Sequence, residues 1–238
     1  MKSAIIALLY SAFVLSAPQN IWPIKTSPID GVRDLSFEIE SESFKNLTKQ
    51  DLLASFYWLP TQKELKLKNS YPSKIEKELQ SIFLEKLSIV TGDKFSDYIK
   101  NFKYIGLIKS WHRFEDEFGI QDKSEIWIKK EKNSLKIIEK KSVGTNYIDY
   151  YFEKENKRDV LKRIEHKSFI GLQSFKTITT IKYGQNGKFY LPFEIETITT
   201  QKLTTNEDES PTRRLKETLR FKNYKINKSV ALRWFSKR

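Results

Sequence analysis

The sequence predicts an α+β domain built on a single long antiparallel sheet with one or two helices. Three observations lead there. From about Tyr104 onward the apolar residues recur with a period of two, the period of a half-buried strand. The alternating runs are separated by short polar turn signals, "EKNS", "ENKR" and "GQNG", which joins them as sequential hairpins of an antiparallel meander. Only one segment has a clear helical stripe, so helix is scarce beside the sheet it would have to cover. Such a sheet closes into a barrel, folds into a sandwich, or curls and leaves a concavity.

The elements follow in chain order. "MKSAIIALLYSAFVLSA" places Lys2 before an uninterrupted apolar run from Ala4 to Leu15 and the small residues Ser16 and Ala17, the layout of a secretory signal peptide over residues 1–17. The run is shorter than the about 20 residues a membrane-spanning helix needs. No cysteine follows it to carry a lipid, so the expected product is a soluble protein exported to the periplasm. Residues 18–33 hold Pro18, Pro23, Pro28 and Gly31 and read as a lead-in, leaving 34–238 as one domain. "DLSFEIES" alternates Leu35, Phe37 and Ile39 with polar residues, and "LLASFYWLP" with "KELKLK" supplies its neighbours. Ser73 and Glu76 have the spacing of a capping box, and Ile75, Leu79, Ile82, Phe83 and Leu87 recur at helical spacing up to Gly92. A second short helix is expected around Phe95, Tyr98, Ile99 and Phe102. The strands then run to the final hairpin, where Leu215, Leu219 and Phe221 share one face and Arg214, Lys216, Thr218, Arg220 and Lys222 the other.

Composition narrows the function. The formal net charge is +13, with the basic residues spread along the chain, which favours anionic partners without fixing one. The absence of cysteine removes disulfides, thiolate nucleophiles and Cys-containing zinc sites. Only His112 and His166 are present, far apart in sequence, and both read as ordinary edge histidines. Glu115, Asp116, Glu117 and Asp122 form an acidic cluster that could do acid–base work, though a solvated strand end accounts for it more simply. There is no G-x-S-x-G, no phosphate-cradling glycine loop and no H-E-x-x-H. The expectation is a protein without enzymatic activity, metal or cofactor. "KNFKYIGLIKSWHRF" interleaves lysines with aromatics in the manner of a nucleic-acid surface, but an exported protein meets little nucleic acid, and none is expected as partner.

One stretch is more specific. "GKFYLPFEIETITT", a polar hairpin, then "RLKETLRFKNYKIN" resembles the carboxy-terminal hairpin of the periplasmic lipoprotein-carrier (LolA/LolB-like) superfamily. The matching residues are Tyr190, Leu191 and Pro192 on the first strand and Phe221, Asn223, Tyr224, Lys225, Ile226 and Asn227 on the second, with "SVALRWF" trailing. The likeness implies that the sheet is strongly curved, an incomplete β-barrel with the helices packed on or over its concave face as a lid. It also implies a divergent member of the superfamily, whose concavity receives the acyl chains of lipoproteins or another lipid. A Pro-rich lead-in stands where that family places a helix, and its functional arginine has no matching position here.

Read from the residues alone, the groove would be formed by Phe189, Leu191, Phe193, Ile195, Leu215, Leu219 and Phe221, and the lid by Leu79, Phe83 and Leu87. The same positions serve equally as an ordinary closed core, because an alternating face does not say what covers it. Two functions therefore stand side by side. One is a monomeric carrier of lipid or acyl chains that also meets anionic membrane surfaces. The other is a non-catalytic cell-envelope module, structural or protein-binding, that packs its own core. An envelope hydrolase using Glu115, Asp116 or His112 ranks behind both.

Overall fold

A computed structural model describes residues 31–49, 52–68, 102–116, 124–155, 158–203 and 212–236, with Glu76, Lys77, Gln80, Leu84 and Leu87 between the second and third of these stretches. The expected signal peptide, most of the lead-in, and Phe95, Tyr98 and Ile99 of the expected second helix lie outside the described residues, whereas Phe102, expected to end that helix, opens the fourth strand. The chain forms β1 (Leu35–Ser41), α1 (Glu42–Thr48), β2 (Leu52–Leu59), β3 (Gln62–Leu67), β4 (Phe102–Ile108), β5 (Trp111–Asp116), β6 (Glu125–Lys130) and β7 (Ser134–Lys141). It continues as β8 (Gly144–Glu155), β9 (Arg158–Ile170), β10 (Gln173–Asn186), β11 (Phe189–Leu203), β12 (Thr212–Ile226) and α2 (Val230–Phe235).

All twelve strands belong to one antiparallel sheet in the order β3-β2-β1-β12-β11-β10-β9-β8-β7-β6-β5-β4. Every neighbouring pair is sequential except β12 with β1, where Ile39 lies opposite Phe221 and Ser41 opposite Leu219. The sheet does not close: β3 and β4, consecutive in the chain, are its two opposite edges. Their connection, residues 68–101, is therefore not a hairpin turn. Glu76, Lys77, Gln80, Leu84 and Leu87 are the described helical residues of that connection. Leu87 is fully buried in the core, Leu84 packs against it, and Gln80 Nε2 donates to the Leu65 carbonyl of the edge strand β3 at 3.2 Å.

Turn chemistry explains the hairpins. Lys109 and Ser110 both take positive φ between β4 and β5, the two-residue turn whose twist matches its strands. Gly187 (φ +61) does the corresponding work between β10 and β11. Bulges supply the curvature. On β12, Asn223 and Tyr224 together face Phe37 of β1, since Lys225 pairs with Ser36 and Lys222 with Glu38. Asn223 adopts φ 54 there, a conformation that asparagine tolerates better than most residues, and its Nδ2 donates to Glu38 at 2.5 Å. Further register shifts lie between Lys182 and Tyr183 and between Tyr151 and Phe152.

The inner face carries one continuous apolar cluster that runs from Leu65 and Leu67 of β3, through Phe37, Phe56 and Phe221, to Ile128 and Phe114 at the far side. Phe37 is its aromatic centre, with Phe56, Tyr224 and Phe221 at ring distances of 4.9, 5.0 and 5.3 Å. On β1 and β2, α2 covers the opposite face. The buried Asp34 carboxylate accepts from Val230 N (3.1 Å) and Leu232 N (3.0 Å) and so caps α2, while Trp234 stacks on Tyr57 at 4.5 Å and donates to Glu64 at 3.1 Å.

Candidate functional site

The curved inner face is the candidate site. Of the seven groove residues expected from the sequence, Phe189, Leu191, Ile195, Leu219 and Phe221 are buried in the apolar cluster. Phe193 and Leu215 are not, being 45% and 54% exposed. Each departs for a physical reason. Alternation puts Phe193 on the face of Leu191 and Ile195, but Lys182 pairs with Glu194 and Tyr183 with Pro192, so Phe193 is the extra residue of a bulge. Leu215 keeps its register, in a row running His112, Ile128, Ile137, Ile148, His166, Thr177, Thr199, Leu215. That row is dry at Ile128 and Ile137 and turns polar at Thr177 and Thr199, whose hydroxyls meet at 3.1 Å. Leu215 lies past the end of the core. Among the lid residues, Leu87 is buried, whereas Leu79 and Phe83 lie outside the described residues.

Within this apolar surface sits a polar group that pattern reading missed. Tyr183, 7% exposed, has a hydroxyl with no hydrogen-bond partner among the described residues. Its ring stacks on Tyr190 at 5.6 Å, and Lys162 Nζ lies 5.4 Å from the ring centroid. Glu155 bridges the cluster, accepting from the Tyr190 hydroxyl and pairing with Lys162. The electrostatics follow from these contacts. Burial drives the Tyr183 phenol well above its ordinary range, with Glu155 and Tyr190 adding to the shift. The hydrogen bond to Glu155 pushes Tyr190 up to about 12. Burial alone would raise Glu155, but the bonds from Lys162 and Tyr190 outweigh it and hold the carboxyl below its usual value. Tyr224, raised by burial, donates to the Pro192 carbonyl at 2.5 Å. Tyr183 and Tyr190 flank the "GQNG" turn, and that placement was the one signal that could have found them in the sequence.

A second concavity lies on the outer face, across β5 to β9. It measures about 450 Å³ and is walled by Trp111, Ile138, Tyr147 and Phe169, with Lys136, Asp149, Glu165 and Lys167 among them. Tyr147 and Phe169 meet edge to face at 5.9 Å. Burial raises Asp149 above the normal carboxylate range, against the pull of Lys136.

The remaining chemical candidates do not assemble. His112 and His166 share one cross-strand row but stand four strands apart, about 19 Å along the sheet. His112 Nδ1 is 3.1 Å from the Tyr104 hydroxyl, and burial lowers its pKa. Glu115 is bound to Arg113 at 2.5 Å, and the same guanidinium bonds Glu125 at 2.8 Å, so the acidic strand end is internally compensated. Glu117 and Asp122 lie outside the described residues. Among the described residues no three His, Asp or Glu side chains are placed to hold a metal, and no helix is long and apolar enough to cross a membrane. No family model, curated protein or solved structure matches the chain.

Proposed function

We propose that the protein is an exported periplasmic carrier that binds a lipid, or the acyl chains of a lipoprotein, against the inner face of its sheet. The supporting observation is the unclosed sheet of twelve strands whose inner face carries a continuous apolar cluster, met among the described residues by Leu87 and Leu84 of a helical segment. An acyl chain entering that surface gains about 0.8 kcal/mol per buried CH₂, so a chain of about 16 carbons gains on the order of 10 kcal/mol before ordering costs. Burial is therefore sufficient for carriage with no catalytic group. In this reading the Tyr183 hydroxyl, unpaired among the described residues and beside Lys162, would serve as a donor to a polar head. The resemblance of the last hairpin to the lipoprotein-carrier superfamily favours the same reading, although several of its motif residues have structural work of their own. Asn223 makes the bulge, and the Asn227 side chain accepts from Arg33 N at 2.7 Å and Asp34 N at 3.3 Å.

A second reading, a cell-envelope interaction module with a closed core, is favoured by the burial of five of the seven groove candidates. Native mass spectrometry of the gently purified mature protein, with lipid extraction of the same sample, separates the two. A stoichiometric lipid or acylated peptide is the expected result. A bare mass that stays bare after incubation with membranes removes the carrier and leaves the module.

A further inference from the structure

The β7–β8 and β9–β10 turns lie side by side, because Gly144 pairs directly with Ile170. No side chain fits at Gly144: a Cβ there would stand 2.0 Å from the Phe169 carbonyl oxygen. The two turns therefore form one blunt tip, and that tip is apolar. Val143 is 65% exposed and Leu172 72%, with Phe169, Ile170 and Tyr147 exposed beside them. Val143 and Leu172 project from turns, where polar residues are the rule, and Tyr147, Phe169 and Ile170 stand on the strands beside them. The apolar surface continues from Phe169 and Tyr147 into the outer concavity at Ile138 and Trp111.

Cations surround the tip. Lys140 lies at the end of β7, Lys167 on β9, Lys176 on β10 and Lys202 on β11, all exposed, and Lys141 beside them is paired with Glu139. The nearest carboxylates in register are compensated: Glu139 by Lys141 at 3.0 Å and Asn146 at 2.8 Å, Glu165 by Arg163 at 2.7 Å. Glu207, Asp208 and Glu209 belong to the β11–β12 connection, outside the described residues.

We propose that this paired tip docks the protein on an anionic lipid bilayer, with Val143, Ile170 and Leu172 entering the interface and the lysines meeting the headgroups. The chemistry favours a bilayer over a protein partner. Protein interfaces are depleted of lysine at their centre, whereas a membrane interface accepts apolar side chains ringed by lysines whose stems lie along it. The charge complements the negative surface of an anionic leaflet. The inference does not depend on what the inner face carries.

The test uses the full mature chain and vesicles of phosphatidylethanolamine with one third phosphatidylglycerol, against phosphatidylcholine alone, read by co-sedimentation. Binding is expected to the anionic vesicles, falling as salt shortens the Debye length to about 3 Å. Val143→Ser with Leu172→Ser should weaken it by about a hundredfold, about tenfold for each side chain withdrawn from the apolar phase. Both positions are exposed turn residues, so the thermal midpoint should be unchanged. Leu107→Ser, equally exposed but beside the β4–β5 turn at the other end of the strands, should leave binding intact. Failure of the wild type to bind anionic vesicles, or equal binding by the tip variant, overturns the proposal. So does a wild-type dimer that the tip variant dissolves in light scattering, which would assign the patch to a second copy of the chain.

Discussion

Replacing Tyr183 by Phe tests the polar group inside the apolar face. The hydroxyl is buried with no partner among the described residues, and an unsatisfied buried group of this kind costs about 1–3 kcal/mol. Deleting it leaves a void of roughly 20 Å³, worth about 0.5 kcal/mol at 24 cal/mol per Å³. The ring keeps its stacking on Tyr190 and its contact with Lys162. The net expectation is a protein stabilised by about 1–2 kcal/mol, a rise of a few degrees in thermal midpoint for a domain of this size. The assay is urea unfolding of lipid-stripped protein followed by tryptophan fluorescence, with the midpoint moving up at constant slope. The same substitution should lower the lipid retained by gently purified protein, because the hydroxyl that costs stability when empty is the donor that a head group would use. A loss of about 1 kcal/mol or more in the stripped protein would refute the reasoning, since it would mean that the hydroxyl is already bonded.

Other substitutions separate core from surface. Leu219→Ala should cost about 2–5 kcal/mol in urea unfolding, while Phe193→Ser, at a bulge and half exposed, should stay within about 0.5 kcal/mol; equal costs would contradict the assignment of the bulge. Asp34→Ala should remove about 0.5–2 kcal/mol and release α2, seen as loss of Trp234 stacking on Tyr57 in near-ultraviolet dichroism. Tyr190, whose folded value of about 12 lies above the ordinary 10.0, favours the fold as a neutral phenol. Its contribution is complete below about pH 10 and is lost as the pH rises through about 12. Glu155→Leu should return the Tyr190 transition toward the ordinary value in an absorbance titration differenced against Tyr190→Phe, and an unmoved transition would count against the Glu155 bond.

What could be read from the sequence was whatever is local. Period-two alternation and turn residues such as Gly187 act over a few positions, and the hairpins from β6 to β12 follow from them. The α1 helix was missed although its signal is present: Ser41 accepts from Phe44 N as an N-cap, but seven residues are too few to show a periodic stripe. The pairing of β1 with β12 joins residues such as Leu35 and Ile226, and no local rule reaches across that separation. The Phe193 bulge defeated alternation for a different reason. Register is a property of two strands, and a single sequence shows only one of them. The Tyr183 cluster is of the same kind, because Glu155, Lys162 and Tyr190 come from three strands.

The open barrel and its cover are one topological fact. Consecutive strands β3 and β4 occupy opposite edges, so they do not pair as a hairpin and the sheet stays open. An apolar inner face left bare would be costly, and helical residues of the β3–β4 connection meet it, with Leu87 in the core, Leu84 packed against it and Gln80 bonded to the edge carbonyl of Leu65. Lys63 and Lys66 on β3, with Lys68 just beyond it, guard the same edge against pairing with another chain. It follows that an acyl chain bound where Leu84 and Leu87 pack would compete with them for the same apolar surface. Loading there and burial of Leu87 then exclude one another, and a cargo-loaded protein should lose hydrogen-exchange protection at Leu84 and Leu87. Unchanged protection on loading would place the cargo elsewhere and return the inner face to the role of a closed core.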